Sequence, residues 1–160
     1  MKFVSEKIID SIIDLLDSLS DEQTERHMEE FAEEQPVLMA YLFNEDNFHL
    51  LSDDEQGFMQ YLALIVWLAN RKVNGPVETV PEEVIGEAEE KNYEVLEAST
   101  AKKFRDRLNP FFENTPQEDL LAFAEEAVLE DEDNPQALVT KEGREPIFVA
   151  VKTVIDVLTR

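Results

Sequence analysis

The sequence contains no cysteine and only four glycines. Without thiols the chain has no disulfide, no thiolate metal site and no cysteine nucleophile. No Gly-x-Gly-x-x-Gly, Gly-Lys-Ser/Thr or Gly-x-Ser-x-Gly motif occurs, and so few glycines leave little material for loops that cradle phosphate groups. We therefore do not expect nucleotide chemistry.

Histidine is equally scarce, with His27 and His49 the two in the chain. His27 lacks the glutamate three residues earlier that forms a Glu-x-x-His ligand pair in carboxylate-bridged bundles, because Thr24 stands there. Asp46 has the right spacing to His49, but no second copy of the motif completes a site. General acid–base catalysis commonly uses histidine. The sequence therefore predicts no catalytic residue, no cofactor and no metal site.

Long apolar runs are also missing. The longest nearly apolar run, residues 58–69, contains Gln60 and is shorter than the roughly 20 residues that span a bilayer. The apolar residues near the N-terminus are interrupted by Asp10, Asp14 and Asp17, unlike those of a signal peptide. These patterns predict a soluble, cytoplasmic protein without a membrane partner.

Positive charge is in large deficit, with 14 Lys and Arg against 37 Asp and Glu and a formal net charge of −23. Such a surface repels nucleic acid and anionic membranes, so neither is expected as a partner. The charge favours a protein partner and is compatible with a basic one. The hydrophobic fraction of 43% is ordinary for a globular protein, which indicates a packed core rather than a disordered tail.

Helical periodicity runs along almost the whole chain. Capping boxes are predicted at Ser20 with Gln23 and at Ser52 with Glu55. Pro36 and Pro81 fit the first turn of a helix, and Ser99 or Thr100 is a suitable N-cap. The strongest helix start is predicted at Thr115, where an N-cap is followed by a proline at the first helical position and by the capping-box residue Glu118. Residues 58–69 are apolar on nearly all sides and predict the central helix, with these side chains buried: Leu64, Val66, Trp67 and Leu68.

The fold class predicted from these signals is all-α. We expect a single domain over residues 1–160 with seven or eight helices, arranged as a bundle or as stacked helical hairpins. The break at 73–76 divides it into possible sub-halves, 1–72 and 77–160. The last segment, 146–158, is rich in Val and Ile and open to interpretation as a strand, but its apolar spacing favours a helix.

The most ordered charge pattern is an acidic stripe of five glutamates on the helix after Pro81, at spacings of four, three, four and three. Like charges one turn apart cost about 0.2–0.5 kcal/mol per pair. A basic cluster follows within ten residues of the stripe. The favoured interpretation is that the cluster neutralises the stripe across a helical hairpin; the alternative is that one or both are docking surfaces. The candidate partner-binding residues are Glu83, Glu87, Glu90, Glu94 and Glu97 of the stripe and Lys102, Lys103, Arg105 and Arg107 of the cluster.

The leading functional hypothesis is an acidic protein-interaction module, an adaptor, regulator or inhibitor that binds a protein through acidic and aromatic surface. A homo-oligomer is compatible with it. The alternative is a helical-bundle enzyme or metal-dependent protein whose carboxylates converge only in three dimensions. A third hypothesis is mimicry of nucleic acid by the acidic stripe.

Overall fold

The computed structural model describes all 160 residues, which form helices and turns without a strand. The all-α prediction is confirmed, and the C-terminal segment is a helix. Single-turn helices α6 and α7 abut at Leu108 and count as one interrupted helix, which gives eight. A 3-10 turn covers Glu45–Phe48. No helix combines the length and apolar character needed to cross a membrane. The helices are α1 Glu6–Ser18, α2 Asp21–Glu34, α3 Pro36–Leu42, α4 Asp53–Asn74, α5 Glu82–Ala98, α6 Phe104–Arg107, α7 Asn109–Glu113, α8 Glu118–Leu129 and α9 Arg144–Leu158.

The capping boxes predicted at Ser20 and Ser52 are both present. The Ser20 hydroxyl accepts the N–H of Gln23 at 3.2 Å, and the Gln23 side chain accepts the N–H of Ser20 at 2.9 Å. At the start of α4, the Ser52 hydroxyl accepts the N–H of Glu55 at 3.1 Å, and the Glu55 carboxylate accepts the N–H of Ser52 at 3.0 Å. These bonds satisfy donors that a helix N-terminus leaves free, and they fix the first residue of each helix.

Two other predicted helix starts are wrong. The Thr115 hydroxyl accepts the N–H of Gln117 at 3.0 Å in a short turn, and α8 begins later, at Glu118. The Gln117 side chain is buried and binds the N-terminal segment, accepting the N–H of Val4 at 3.0 Å. The Ser99 hydroxyl likewise accepts the N–H of Ala101 at 3.2 Å in a local turn, and the next helix, α6, begins only at Phe104. A tertiary hydrogen bond of Gln117 competes with the capping signal at Thr115, whereas at Ser99 the competing bond is itself local.

The core is one cluster of 38 buried hydrophobic residues drawn from both sides of 73–76, in a single compact domain. The prediction for residues 58–69 is confirmed, because Leu64, Val66, Trp67 and Leu68 are all buried. However, α9 is at least as central as α4. It packs against α4, α5 and α8, and 12 of its 15 residues are buried, against 11 of 22 in α4.

Buried polar side chains tie the connecting segments to the helices. The amide of Gln35, between α2 and α3, donates to the carbonyl oxygens of Val77 and Glu78 at 3.0 Å and accepts the N–H of Val80 at 2.9 Å. The carboxylate of Glu55 holds the segment before α9 in place, since its Oε2 accepts hydrogen bonds from the N–H and the hydroxyl of Thr140 at 3.1 and 3.0 Å. Each contact fixes a loop without regular structure.

Candidate functional site

The helix that carries the acidic stripe, α5, lies on the outside of the domain. Its buried residues are Ile85, Asn92 and Leu96, and it packs against α9 and α3. At about 100° per residue, the five stripe glutamates fall within an arc of about 80°, nearly opposite those buried residues. All five are exposed. The stripe therefore points away from the domain.

The stripe has no ion pair within the molecule. None of its five carboxylates lies within 4.0 Å of a Lys, Arg or His nitrogen. The prediction that the basic cluster neutralises the stripe across a hairpin is therefore wrong. The repulsion between stripe glutamates one turn apart is left without a compensating cation in contact.

The two arginines of the basic cluster are engaged elsewhere. Arg105 Nη1 lies 3.1 Å from a carboxylate oxygen of Glu125, and its Nη2 lies 3.8 Å from Glu132. Arg107 pairs with Glu145 at 3.7 Å and donates to the carbonyl oxygen of Leu96 at 3.1 Å. The last bond puts a guanidinium at the C-terminal end of α5, where a cation stabilises the helix dipole. Arg107 thus meets α5 at its backbone and not at the stripe.

The basic cluster instead lines a polar cleft of about 700 Å³ beside the start of α9. Lys141 and Arg144 join the four predicted residues there, so six of the chain's 14 basic residues line one cleft. Five carboxylates also line it, which leaves its charge nearly balanced. Of the four predicted residues, Lys102 and Lys103 are exposed and have no ion pair.

The strongest pKa shifts in the molecule belong to two tyrosines. Burial, together with a hydrogen bond of 2.5 Å to Glu89, raises the pKa of Tyr41 far above its ordinary value. Burial and the nearby Glu89 carboxylate raise the pKa of Tyr93 to about 12. Both phenols therefore stay protonated near neutral pH and do not act as bases. The Tyr41 bond links α3 to α5 beside a cavity of about 490 Å³.

No three His, Cys, Asp or Glu side chains are arranged so that they could hold a metal ion. His27 is half-buried, with Nδ1 4.0 Å from Glu30, and His49 is exposed, with Nδ1 3.2 Å from the carbonyl oxygen of Asp46. The metal-dependent alternative therefore gains no support from the geometry. Comparison of the chain with protein-family models, curated proteins and solved structures finds no match.

Sequence reasoning missed a second surface, an apolar groove between α1 and α8. Two of its lining residues, Ile13 and Phe123, belong to helices that are far apart in the sequence. The acidic face of α1 and the phenylalanine of α8 were each visible in the sequence. Nothing in the sequence indicated that the two helices are neighbours.

Proposed function

We propose that this chain is a cytoplasmic protein-interaction module, an adaptor, regulator or inhibitor, that binds a basic protein through the acidic stripe of α5. The observation that supports the proposal is that five exposed carboxylates lie on one face of one helix without an ion pair. Their mutual repulsion costs about 0.2–0.5 kcal/mol for each pair one turn apart. A cationic partner removes that cost on binding.

The geometry defines what such a partner must offer. From Glu83 to Glu97 the stripe is about 21 Å long, at 1.5 Å per residue. It is presented by a helix that is held to the core along its opposite face, so the carboxylates keep their spacing. The net charge of −23 attracts cations over a longer range and raises the rate of encounter at low salt. A complementary surface therefore has Lys or Arg spread over a similar length.

The first test measures stability. Replacing Glu87, Glu90 and Glu94 together by Gln removes every like-charge pair in the stripe, while the helix propensity hardly changes. We expect the free energy of unfolding to rise by roughly 1 kcal/mol at low salt. The gain should disappear in about 1 M salt, where the screening length is about 3 Å. Urea unfolding at both salt concentrations measures this, and a loss of stability at low salt would contradict the unpaired stripe.

The second test measures binding. The wild-type chain, the triple stripe variant and a matched triple variant on α2, with Glu25, Glu29 and Glu33 replaced by Gln, serve as bait in an extract of the native host. The control removes the same charge from exposed positions of another helix. We expect a basic protein to bind the wild type and the α2 control and to be lost from the stripe variant. If both variants lose the partner equally, the interaction depends on overall charge and not on the stripe. If both variants retain the partner equally, the stripe is not the binding surface.

A further inference from the structure

Helices α1 and α8 lie side by side with the same chain direction. At one end, the N–H of Glu6 donates to Asp119 at 2.8 Å. At the other end, Asp17 and Glu130 line one cavity. Cavities of about 560 and 160 Å³ between the helices share Ile13, Phe123 and Glu126 and so form one groove. From Glu6 to Asp17 the groove is about 16 Å long, or about three helical turns.

The floor of this groove is apolar and partly open. Eight of the twelve residues that line the larger cavity are hydrophobic. The aromatic rings of Phe58, Tyr61 and Phe123 are only partly buried, while Leu62 and Ile65 of α4 lie beneath them. Part-exposed aromatic side chains in a concave surface are the usual anchors of protein–protein contacts.

The rim of the groove is acidic. Asp17, Glu126 and Glu130 border the larger cavity and Asp10 the smaller one, and none of the four has an ion pair. The larger cavity has one cation on its wall, Arg105, which is already bound by Glu125 and Glu132. An occupant therefore meets apolar surface below and unpaired carboxylates on both sides.

We infer that the groove between α1 and α8 binds an amphipathic helix of a partner protein, about three turns long, with an apolar face for the floor and Lys or Arg for the rim. The charge complementarity decides the occupant, because an acidic helix, or a second copy of a chain of net charge −23, is repelled by the same rim. The groove is a different surface from the stripe. The inference therefore stands without the proposed function.

The absence of cysteine permits a direct test, since a single introduced thiol takes an environment-sensitive fluorophore at one place. Glu126→Cys labels the rim of the groove, and Glu94→Cys labels the stripe as a matched control. The probe is a Leu/Lys peptide of about 14 residues with leucines at helical spacing. We expect saturable 1:1 binding reported by the groove label and little response from the stripe label. A peptide of the same composition in strictly alternating order should bind roughly tenfold more weakly or worse.

A blocking variant completes the test. Ala127 lines the larger cavity and Ala98 is exposed at the end of α5, so Ala127→Arg and Ala98→Arg make the same chemical change at the two places. We expect the first to weaken peptide binding roughly tenfold or more and the second less than about twofold. Thermal unfolding checks that both variants fold, and Asp17→Lys on the exposed rim replaces Ala127→Arg if that variant does not.

Several outcomes would overturn the inference. A response from the stripe label alone would mean that the peptide docks on α5, which supports the proposed function but not the groove. Equal binding of both peptides at both labels would mean diffuse charge attraction. Sedimentation that shows a dimer of the wild type, dissociated by Ala127→Arg, would make a second copy of the chain the occupant.

Discussion

Helices α5 and α9 pack against each other, yet they distribute polar side chains in opposite ways. In α9, 12 of 15 residues are buried, and among them Lys152 forms an ion pair with Asp156 on the next turn. In α5, three of 17 residues are buried, and every charged residue except the half-buried Glu89 is exposed. Asn92 of α5 donates to Thr153 and Asp156 of α9 at 3.2 and 3.0 Å. The charged side chains of α5 therefore stay in contact with solvent, while α9 supplies apolar side chains to the core.

The largest effect expected from this difference follows from Phe148→Ala in α9. The Phe148 ring is fully buried and packs edge-to-face with the rings of Phe104 and Phe111, at distances of 6.2 and 5.2 Å between ring centroids. We expect a loss of about 3–5 kcal/mol in the free energy of unfolding. Val95→Ala, at a half-buried position of α5, should cost about 1 kcal/mol or less. Urea unfolding measures both, and similar losses would show that α9 contributes no more to the core than α5 does.

A smaller effect is expected from Asp156→Ala. The substitution leaves Lys152, whose side chain is 10% exposed, without its partner and removes one acceptor of Asn92. We expect a loss of about 1–3 kcal/mol. Adding Lys152→Met should restore part of the loss, because it removes the unpaired buried charge. If the double variant is no more stable than the single one, the cost does not come from the stranded lysine.

The smallest effects on stability are expected from replacing either of two glycines, Gly143 and Gly86, by alanine. A Cβ at Gly143, just before α9, would lie 1.9 Å from Glu55 Oε2, whereas nothing lies within 4 Å of a Cβ at Gly86 in α5. We expect Gly143→Ala to cost about 1–2 kcal/mol. Gly86→Ala should instead stabilise by about 0.5–1 kcal/mol, since alanine favours the helix. Thermal unfolding gives both signs, and a loss at Gly86 would show that this face of α5 is not open.

The sequence predicted the helices well, because capping boxes and apolar spacing are local signals. It did not predict that α9 is central, since a segment rich in Val and Ile is also open to interpretation as a strand, and Lys152 and Asp156 look like surface charges. The stripe was predicted from spacing alone. Its lack of ion pairs was not, because Arg107 is bound by the backbone carbonyl of Leu96 and Arg105 by Glu125, twenty residues away. Such partners depend on tertiary packing.

The carboxylate of Glu55 joins the first turn of α4 to the segment that leads into α9, and it makes that junction sensitive to protons. Burial raises the pKa of Glu55, but hydrogen bonds from Ser52 and Thr140 outweigh burial and hold its pKa below the ordinary value. The ionised group therefore stabilises the fold above its unfolded-state pKa, and this contribution is lost as the pH falls through the folded-state pKa. A proton is in effect a ligand that competes with Thr140 for one oxygen. Acid should loosen residues 140–143, of which Lys141 and Glu142 line the polar cleft, before it disturbs the apolar packing of α9.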